Sequence, residues 1–328
     1  MDMELHNPLR GTKVNIWSDF LKKAGLTADP DAQQTVLVWE NDELIATGSR
    51  TGNLLKYIAV DPMHQGEGLL AKVLTPLRQE AFREGHDRLF LYTKPVNEPL
   101  FADLMFYPVA QTGDVLLMED RRDGIGQFIR QMPAGKHNGK VGAAVMNCDP
   151  FTLGHRYLVE TAAGDCDHLY IFVLSEDKGR FSPADRLEMV RRGTAHLENV
   201  TVLPTGPYLI SNATFPTYFL KNRDQADRIH CQLDVEIFVR HFAPAFSIDT
   251  RYVGTEPLSQ LTNQYNEVLK SQLPPRGIRV KEIPRLALEN TPVSASAVRA
   301  ALAAGDRQTV EKLVPPTTFA YLEEKHLL

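Results

Sequence analysis

The sequence contains few cysteines and no long apolar run. Its 328 residues include only Cys148, Cys166 and Cys231, which are odd in number and far apart. Disulfide frameworks and zinc sites use paired, closely spaced cysteines, so we expect three reduced structural thiols. No apolar segment approaches the length of a membrane span, and the polar, acidic N-terminus lacks the pattern of a signal peptide. We therefore expect a cytoplasmic protein that does not associate with membranes.

The sequence also lacks an excess of positive charge. Its formal net charge is −5, which gives no support for a nucleic-acid-binding surface. Hydrophobic residues make up 43% and charged residues 23%, and the 21 glycines and 21 prolines are spread out rather than clustered. This composition is ordinary for a folded globular protein, and the length suits two domains.

The first part of the sequence alternates between strand and helix patterns. Together these segments predict a helix, an antiparallel sheet and a second helix that follows a glycine-containing loop. The predicted segments are a helix at Trp17–Leu26, strands at Thr35–Trp39, Leu44–Gly48 and Leu54–Val60, and a helix at Leu69–Glu84.

The loop before this second helix contains Gln65, Gly66 and Gly68. Glycines allow backbone N–H groups to approach a pyrophosphate closely, and the helix N-terminus adds its dipole. The stretch VDPMHQGEGLLAKVL resembles the acetyl-CoA pyrophosphate loop of the GNAT acetyltransferase fold, and LFLYTKPVNEPLFADLMFYPV resembles the next strand and helix of that fold. The resemblance implies an α+β GNAT-like domain in which Gln65, Gly66 and Gly68 bind a pantetheine or CoA-like group. Lys56 and Tyr57 occupy the middle of strand 54–60, so no carboxylate is placed there as the base for acetyl transfer to an amine.

A change in composition follows this region. Residues 111–122 predict one further strand, and residues 122–139 are rich in glycine and proline, as linkers are. We therefore predict two domains, a GNAT-like domain over residues 1–135 and a second domain over residues 136–328.

The second domain shows a regular alternation of strands and helices, which predicts a doubly wound parallel sheet of the Rossmann type. Its ligand should lie at the carboxyl ends of the strands, where the winding reverses. With the strand order 3-2-1-4-5, the reversal falls between the strands at Val141–Met146 and Ser247–Val253. The other predicted strands are His168–Leu174, Asn199–Leu203 and Ile278–Ile283.

The turn after Val141–Met146 carries the strongest local signal in the sequence. It places Thr152, Gly154 and His155 at the start of a helix, where unpaired backbone N–H groups and the helix dipole favour an anion such as phosphate. Gly254 at the end of the strand across the reversal and Ser294 at the start of a late helix should converge on the same edge of the sheet.

Two short motifs indicate which reaction the second domain carries out. Residues 147–155, NCDPFTLGH, resemble the TxGH form of the HxGH signature of the nucleotidylyltransferase superfamily, and residues 294–299, SASAVR, resemble its second signature. The resemblance implies that ATP is bound by Asn147, Asp149, Gly154, Gly254, Ser294 and Ser296, and that His155, Thr152 and Arg299 are catalytic. In-line attack on the α-phosphate depends on positioning and charge stabilisation, and Mg²⁺ would be held largely by phosphates and water, so no protein metal site is expected.

Two further stretches leave their roles open. Lys178, Arg180 and Arg186 flank a loop after strand 168–174 and either reach the phosphates or form a solvated charged loop. Residues 208–221 are rich in hydroxyl and aromatic groups and form either the pocket for a second substrate or a packed connector.

The pairing of these two domains and the stretch ISNATFPTYFLK resemble the citrate lyase ligase family over almost the whole sequence. This resemblance implies that ATP and acetate give acetyl-AMP and pyrophosphate. The acetyl group would then pass to the thiol of a dephospho-CoA-derived prosthetic group on the acyl carrier subunit of citrate lyase. Two alternatives remain: adenylyl transfer to a phosphorylated small molecule such as phosphopantetheine or a mononucleotide, and a non-catalytic nucleotide-binding role, which the complete signatures disfavour.

Overall fold

The computed structural model describes residues 1–28, 31–135, 137–176, 179–209, 218, 223–256, 260–288 and 291–328. The chain forms two compact units, one comprising Met1–Gly124 with Pro216–Ile229 and the other Ile125–Phe215 with His230–Leu328. The predicted domain boundary between residues 135 and 136 stays a prediction.

The first unit is built on a seven-stranded sheet with the order β1-β2-β3-β4-β5-β7-β6. Its neighbours pair antiparallel except β4 and β5, which pair in parallel at Leu54–Phe90 and Leu55–Leu91. The strands are β1 Asp2–His6, β2 Gln34–Glu40, β3 Glu43–Thr51, β4 Leu54–Val60, β5 Phe90–Thr93, β6 Tyr107–Gln111 and β7 Leu116–Glu119. The α-helices are α1 Thr12–Lys23, α2 Leu69–Arg83 and α3 Glu98–Ala102, and α4 Gly124–Arg130 follows at the boundary of the two units.

Helix α2 covers this sheet because its apolar residues recur at helical spacing. Val73 and Leu77 are fully buried and face Gly48 of β3, where an added Cβ would lie 2.5 Å from a Val73 methyl group. Glycine at position 48 therefore allows the helix to approach the sheet closely. The amino end of α2 is at the glycine loop.

The second unit is built on a parallel five-stranded sheet with the order β10-β9-β8-β11-β12. This is the 3-2-1-4-5 order that was assumed in placing the reversal, and the reversal lies between β8 and β11. The strands are β8 Val141–Met146, β9 His168–Val173, β10 Val200–Pro204, β11 Thr250–Gly254 and β12 Arg279–Ile283, with a short hairpin of β13 Ala287–Leu288 and β14 Thr291–Pro292. The α-helices are α5 Leu153–Ala163, α6 Pro183–Thr194, α7 Arg223–Ile237, α8 Ala243–Ala245, α9 Gln260–Gln272, α10 Ala295–Ala304, α11 Arg307–Leu313 and α12 Pro316–Glu324.

One layer of helices brings both signatures to the same side of this sheet. Val159 and Ala162 of α5 and Val298 and Ala301 of α10 belong to one buried cluster that also contains Tyr252 of β11. The apolar faces of α5 and α10 are therefore both packed in the core that covers β8 and β11. Each helix begins where the carboxyl ends of the strands are.

The structure corrects several local predictions. The predicted strand at residues 111–122 is instead the hairpin end of β6 and β7, because the chain turns at Thr112–Val115. Strand β1, helix α11 and the β13–β14 hairpin were not predicted, and residues 122–139 contain helix α4. The predicted strand at Ser247–Val253 begins only at Thr250.

Candidate active site

The first signature forms a reciprocal cap at the start of α5. Thr152 is the N-cap residue, and its Oγ1 accepts a hydrogen bond from the backbone N–H of His155 at 3.3 Å. In return, Nδ1 of His155 accepts a hydrogen bond from the backbone N–H of Thr152 at 3.1 Å. Because Nδ1 is an acceptor here, the neutral imidazole carries its proton on Nε2. His155 can therefore donate a hydrogen bond from Nε2 without first being protonated.

The surroundings of His155 keep it neutral. Burial and, as the smaller cause, the positive charge of Arg285 together lower the pKa of His155 to about 4. The ring also lies parallel to Phe151, with 5.9 Å between the centroids. At neutral pH the side chain is thus a fixed hydrogen-bond donor at the helix N-terminus.

Thr152, which the sequence predicts to be catalytic, is held against the histidine. It is only 1% exposed, and its Oγ1 lies 3.0 Å from Nδ1 of His155. These contacts orient the imidazole.

Asp149 and Arg299 join the two signatures. Nη1 of Arg299 donates a hydrogen bond to the backbone oxygen of Asp149 at 2.5 Å, and the same nitrogen lies 3.6 Å from the Asp149 carboxylate. That carboxylate accepts hydrogen bonds from the backbone N–H groups of Phe181 at 2.9 Å and Arg180 at 3.1 Å. Asp149 is 5% exposed, so it fixes the loop before α6 against the turn.

Gly154 allows the two helix starts to approach each other. A Cβ at this position would lie 3.4 Å from the backbone oxygen of Val293, which immediately precedes the second signature. Ser294 is the N-cap of α10 and accepts a hydrogen bond from the backbone N–H of Ala297 at 3.1 Å. Ser296 is exposed and donates to the Ser294 hydroxyl at 3.2 Å. The two predicted anion-binding helix starts are therefore neighbours.

Arg186 is buried beneath the turn. It is 1% exposed, and its guanidinium donates to the backbone oxygen of Asn147 at 3.1 Å, to the Asn147 side-chain oxygen and to the backbone oxygen of Glu176. These contacts support the turn from below, and contact of Arg186 with ATP remains a prediction. Lys178, the other basic residue predicted to bind ATP, lies outside the described residues.

Two other residues of the turn and the sheet edge have structural contacts. Cys148 has a φ of 53° and is 1% exposed, and burial raises the pKa of its thiol, in agreement with a structural thiol. Gly254 accepts a hydrogen bond from Nδ2 of Asn266 at 2.8 Å, and a Cβ there would lie 3.2 Å from a methyl group of Leu158 on α5. The end of β11 thus packs closely against α5.

Arg285 is a site residue that the sequence analysis missed. Its Nη1 pairs with Oε1 of Glu256 at 2.5 Å, and its Nε donates to the backbone oxygen of Val293 at 3.2 Å. The available signal was its position two residues after β12, at the edge of the sheet where the ligand was expected.

Both glycines of the loop before α2 have positive φ values. Gly66 and Gly68 have φ values of 86° and 71°, and Gly68 caps the start of α2. A Cβ at either position would meet no atom within 4 Å. Gln65 precedes them in an extended conformation.

Of the stretch at residues 208–221, the structure describes Tyr208, Leu209 and Tyr218. Tyr208 packs on Phe128 with 5.4 Å between the ring centroids. Tyr218 donates a hydrogen bond to the backbone oxygen of Tyr92 at 3.3 Å. The choice between a substrate pocket and a connector falls on residues outside the described ones.

Two classes of feature are absent from the described part of the chain. No three His, Cys, Asp or Glu side chains there come together as a group that could hold a metal ion. None of the helices described is both long enough and apolar enough to cross a membrane.

Comparison with known proteins decides the family. Residues 141–322 match the model of the citrate lyase ligase C-terminal domain. The citrate (pro-3S)-lyase ligase of Klebsiella pneumoniae is 44% identical over 309 residues, which cover 92% of this chain and 90% of that protein. The chain belongs to the citrate lyase ligase family. The ligase of Escherichia coli K12 is 37% identical over 93% of this chain and 89% of its own length.

More remote similarities cover parts of the chain. Phosphopantetheine adenylyltransferase of Corynebacterium glutamicum is 36% identical over 69 residues, which are 20% of this chain. Among solved structures, Escherichia coli ElaA covers 37% of the chain and 99% of its own length at 14% identity, with a TM-score of 0.33. Thermotoga maritima TmcAL, bound with alpha-thio ATP, covers 57% of the chain and 56% of its own length at 14% identity, with a TM-score of 0.36.

Proposed function

We propose that this chain is an ATP-dependent acid–thiol ligase. It activates acetate as acetyl-AMP and acetylates the thiol of the dephospho-CoA-derived prosthetic group on the acyl carrier subunit of citrate lyase, with release of AMP and pyrophosphate. The observation that carries the proposal is identity to ligases of this name over more than nine-tenths of the chain. Adenylyl transfer to a phosphorylated small molecule is not favoured, because the matching adenylyltransferases cover one-fifth of the chain.

The proposed reaction has two steps. In the first, a carboxylate oxygen of acetate attacks the α-phosphorus of ATP, and the bond from that phosphorus to the bridging oxygen breaks to release pyrophosphate. In the second, the thiol sulfur attacks the acetyl carbon. The bond from that carbon to the AMP oxygen breaks, and the thiol proton is lost to solvent. Both steps need charge stabilisation on phosphate oxygens rather than a covalent enzyme intermediate.

The residues of the two signatures would supply that stabilisation. We assign Nε2 of His155 as the donor to an α-phosphate oxygen, because Nδ1 already accepts from Thr152. Thr152 would orient the ring. Arg299, 38% exposed at its side chain, would neutralise the departing pyrophosphate. Gly154, Ser294 and Ser296 would present the two helix starts to the phosphates, with Asn147, Asp149 and Gly254 shaping the site.

Mg²⁺ would enter this site with ATP. Mg²⁺ generally keeps several waters and binds through substrate phosphates, so phosphate oxygens and water would hold most of this ion. The ion would neutralise phosphate charge, and the orientation of the phosphates would be left to the residues named above.

The GNAT-like unit would bind the acceptor. We propose that Gln65, Gly66 and Gly68 receive the phosphates of the prosthetic group, because both glycines have positive φ values and open space where a side chain would stand. Residues 1–135 would then serve acceptor binding and residues 136–328 adenylylation.

The first experiment is ATP–pyrophosphate exchange with a panel of small carboxylates and no carrier. Acetate should stimulate exchange, because formation of acetyl-AMP is reversible in the absence of the thiol. Formate and propionate test the fit of the carboxylate site. Exchange that is independent of any carboxylate, or accumulation of a stable dinucleotide from ATP and a phosphorylated small molecule, would refute the proposed function.

A second experiment separates the two units. Replacing Gly66 and Gly68 by valine should lower thiol acylation on the order of tenfold while acetate-dependent exchange stays within about twofold, since the added side chains occupy the space in front of α2. Gly85→Val is the matched control, because Gly85 has a φ of 85° at the opposite end of α2. Equal loss of acylation in the control, or parallel loss of exchange, would contradict this division.

A further inference from the structure

Arg285 links three segments that are distant in sequence. Its backbone N–H donates to Oγ1 of Thr255 at 2.9 Å, just after β11, and its Nη1 pairs with the neighbouring Glu256. Its Nε donates to the backbone oxygen of Val293, just before α10. Its side chain is 23% exposed and that of Glu256 15% exposed, so the ion pair is largely shielded from water. Arg285 therefore fixes the ends of β11 and β12 relative to the start of α10.

The same Val293 oxygen also lies against the first signature. It lies 3.4 Å from the Cβ position of Gly154, which is in the first turn of α5. The backbone N–H of Val293 is itself held by the Leu286 oxygen at 3.0 Å, and Val293 is 2% exposed. A shift of Arg285 would thus move the residue before Ser294 and alter the gap between the two helix starts.

The positive charge of Arg285 also acts on the imidazole of His155. Charged groups on the elements around this histidine include three ion pairs of arginine with a carboxylate. These are Arg285 with Glu256, Arg299 with Asp149 and, on α5 itself, Arg156 with Glu160, whose carboxylate also contacts His196. Of these charges, that of Arg285 is the one that disfavours protonation of His155.

We propose that Arg285 is a positioning residue for adenylylation, which sets the gap between the two helix starts through its hydrogen bond to the Val293 oxygen. The expected loss of exchange activity rests on the proposed function. The expected change in the gap between the two helix starts does not. Loss of the guanidinium would affect both the placement of Ser294 and the protonation of His155.

The experiment compares Arg285→Gln, Arg285→Lys and Glu256→Gln. Removing the positive charge should raise the pKa of His155 from about 4 towards its ordinary value, without reaching it because burial is the larger cause. In Arg285→Gln, activity in the exchange assay should fall on the order of tenfold at pH 7.5. The loss should be greater at pH 5, where a fraction of His155 is protonated in this variant and is not in the unchanged protein. Glu256→Gln leaves the cation in place, so the pKa of His155 should stay low.

Arg285→Lys separates charge from geometry. Lysine keeps the positive charge but lacks the guanidinium fork that reaches Val293 and Glu256 together, so exchange should fall while the pH dependence stays that of the unchanged protein. The His155 pKa is read by NMR of the imidazole in the free protein, a measurement that does not depend on acetate as the substrate. Exchange at the level of the unchanged protein in both Arg285 variants, or a His155 pKa that is unchanged in Arg285→Gln, would overturn the proposal. Failure of acetate-stimulated exchange in the unchanged protein would instead count against the proposed function.

Discussion

Replacing His155 by alanine should lower acetate-dependent ATP–pyrophosphate exchange by about 10²–10³-fold, the usual effect of removing one preorganised donor from a developing negative charge. The alanine side chain can neither donate from Nε2 nor accept from the Thr152 backbone, so the reciprocal cap of α5 is lost as well. Initial exchange rates at saturating ATP and acetate measure the effect on the activated complex rather than on binding.

His196 provides the matched control for this substitution. It is a histidine of the same unit, 46% exposed at its side chain, and it pairs with Glu160 at 2.9 Å. His196→Ala should leave exchange within about twofold, because exposed ion pairs contribute little. Retention of exchange in His155→Ala, with both variants folded, would remove His155 from the reaction.

The second large effect concerns stability. Arg186→Met should lower the free energy of unfolding by about 2–4 kcal/mol, because it removes the donor for two carbonyl groups and one amide oxygen beneath the turn. Methionine fills much of the space, so the loss arises from unsatisfied oxygens more than from a cavity. Exchange should fall as well, since the turn that carries Asn147 loses its support.

Urea unfolding of Arg186→Met and Arg191→Met tests this assignment. Arg191 is exposed on the same helix, α6, and its substitution should change the unfolding free energy by less than about 0.5 kcal/mol. If Arg186 instead contacts ATP without supporting the turn, Arg186→Met would raise the KM for ATP and leave the unfolding midpoint unchanged.

The misses in the predicted fold have local physical causes. Strand β1 was not predicted because its five residues pair with a single neighbour and carry the mixed pattern of a sheet edge, with Met3 and Leu5 exposed and Glu4 between them. Residues 111–122 were predicted as one strand because the sequence does not show the hydrogen bond that holds the turn at Thr112–Val115. In that bond the Thr112 hydroxyl accepts from the Val115 N–H. Both features depend on a few polar contacts rather than on a hydrophobic period.

In the site, too, neighbouring residues were predictable from the sequence, whereas contacts between distant segments were not. The Thr152–His155 cap was predictable as a placement, since both residues belong to one helical turn, but the return bond from Thr152 to Nδ1 depends on the ring orientation. Arg285 could not be ranked above other arginines from the sequence, because its partners Thr255, Glu256 and Val293 come from segments that meet only after the sheet has formed.

The sequence by itself determined the alternation of strands and helices in the second unit and the helix starts of the two signatures, because hydrophobic period and helix-start residues lie in neighbouring residues. The two fold types were predicted from the resemblance of short motifs to known families. Only the tertiary structure decided which polar side chains face the ligand edge and which support it from within. Arg186 and Asp149 are buried in hydrogen bonds to the backbone, whereas Arg285 joins the site from outside both motifs. The reason is that a polar group's role is set by the partners that satisfy it, and these partners are distant in sequence.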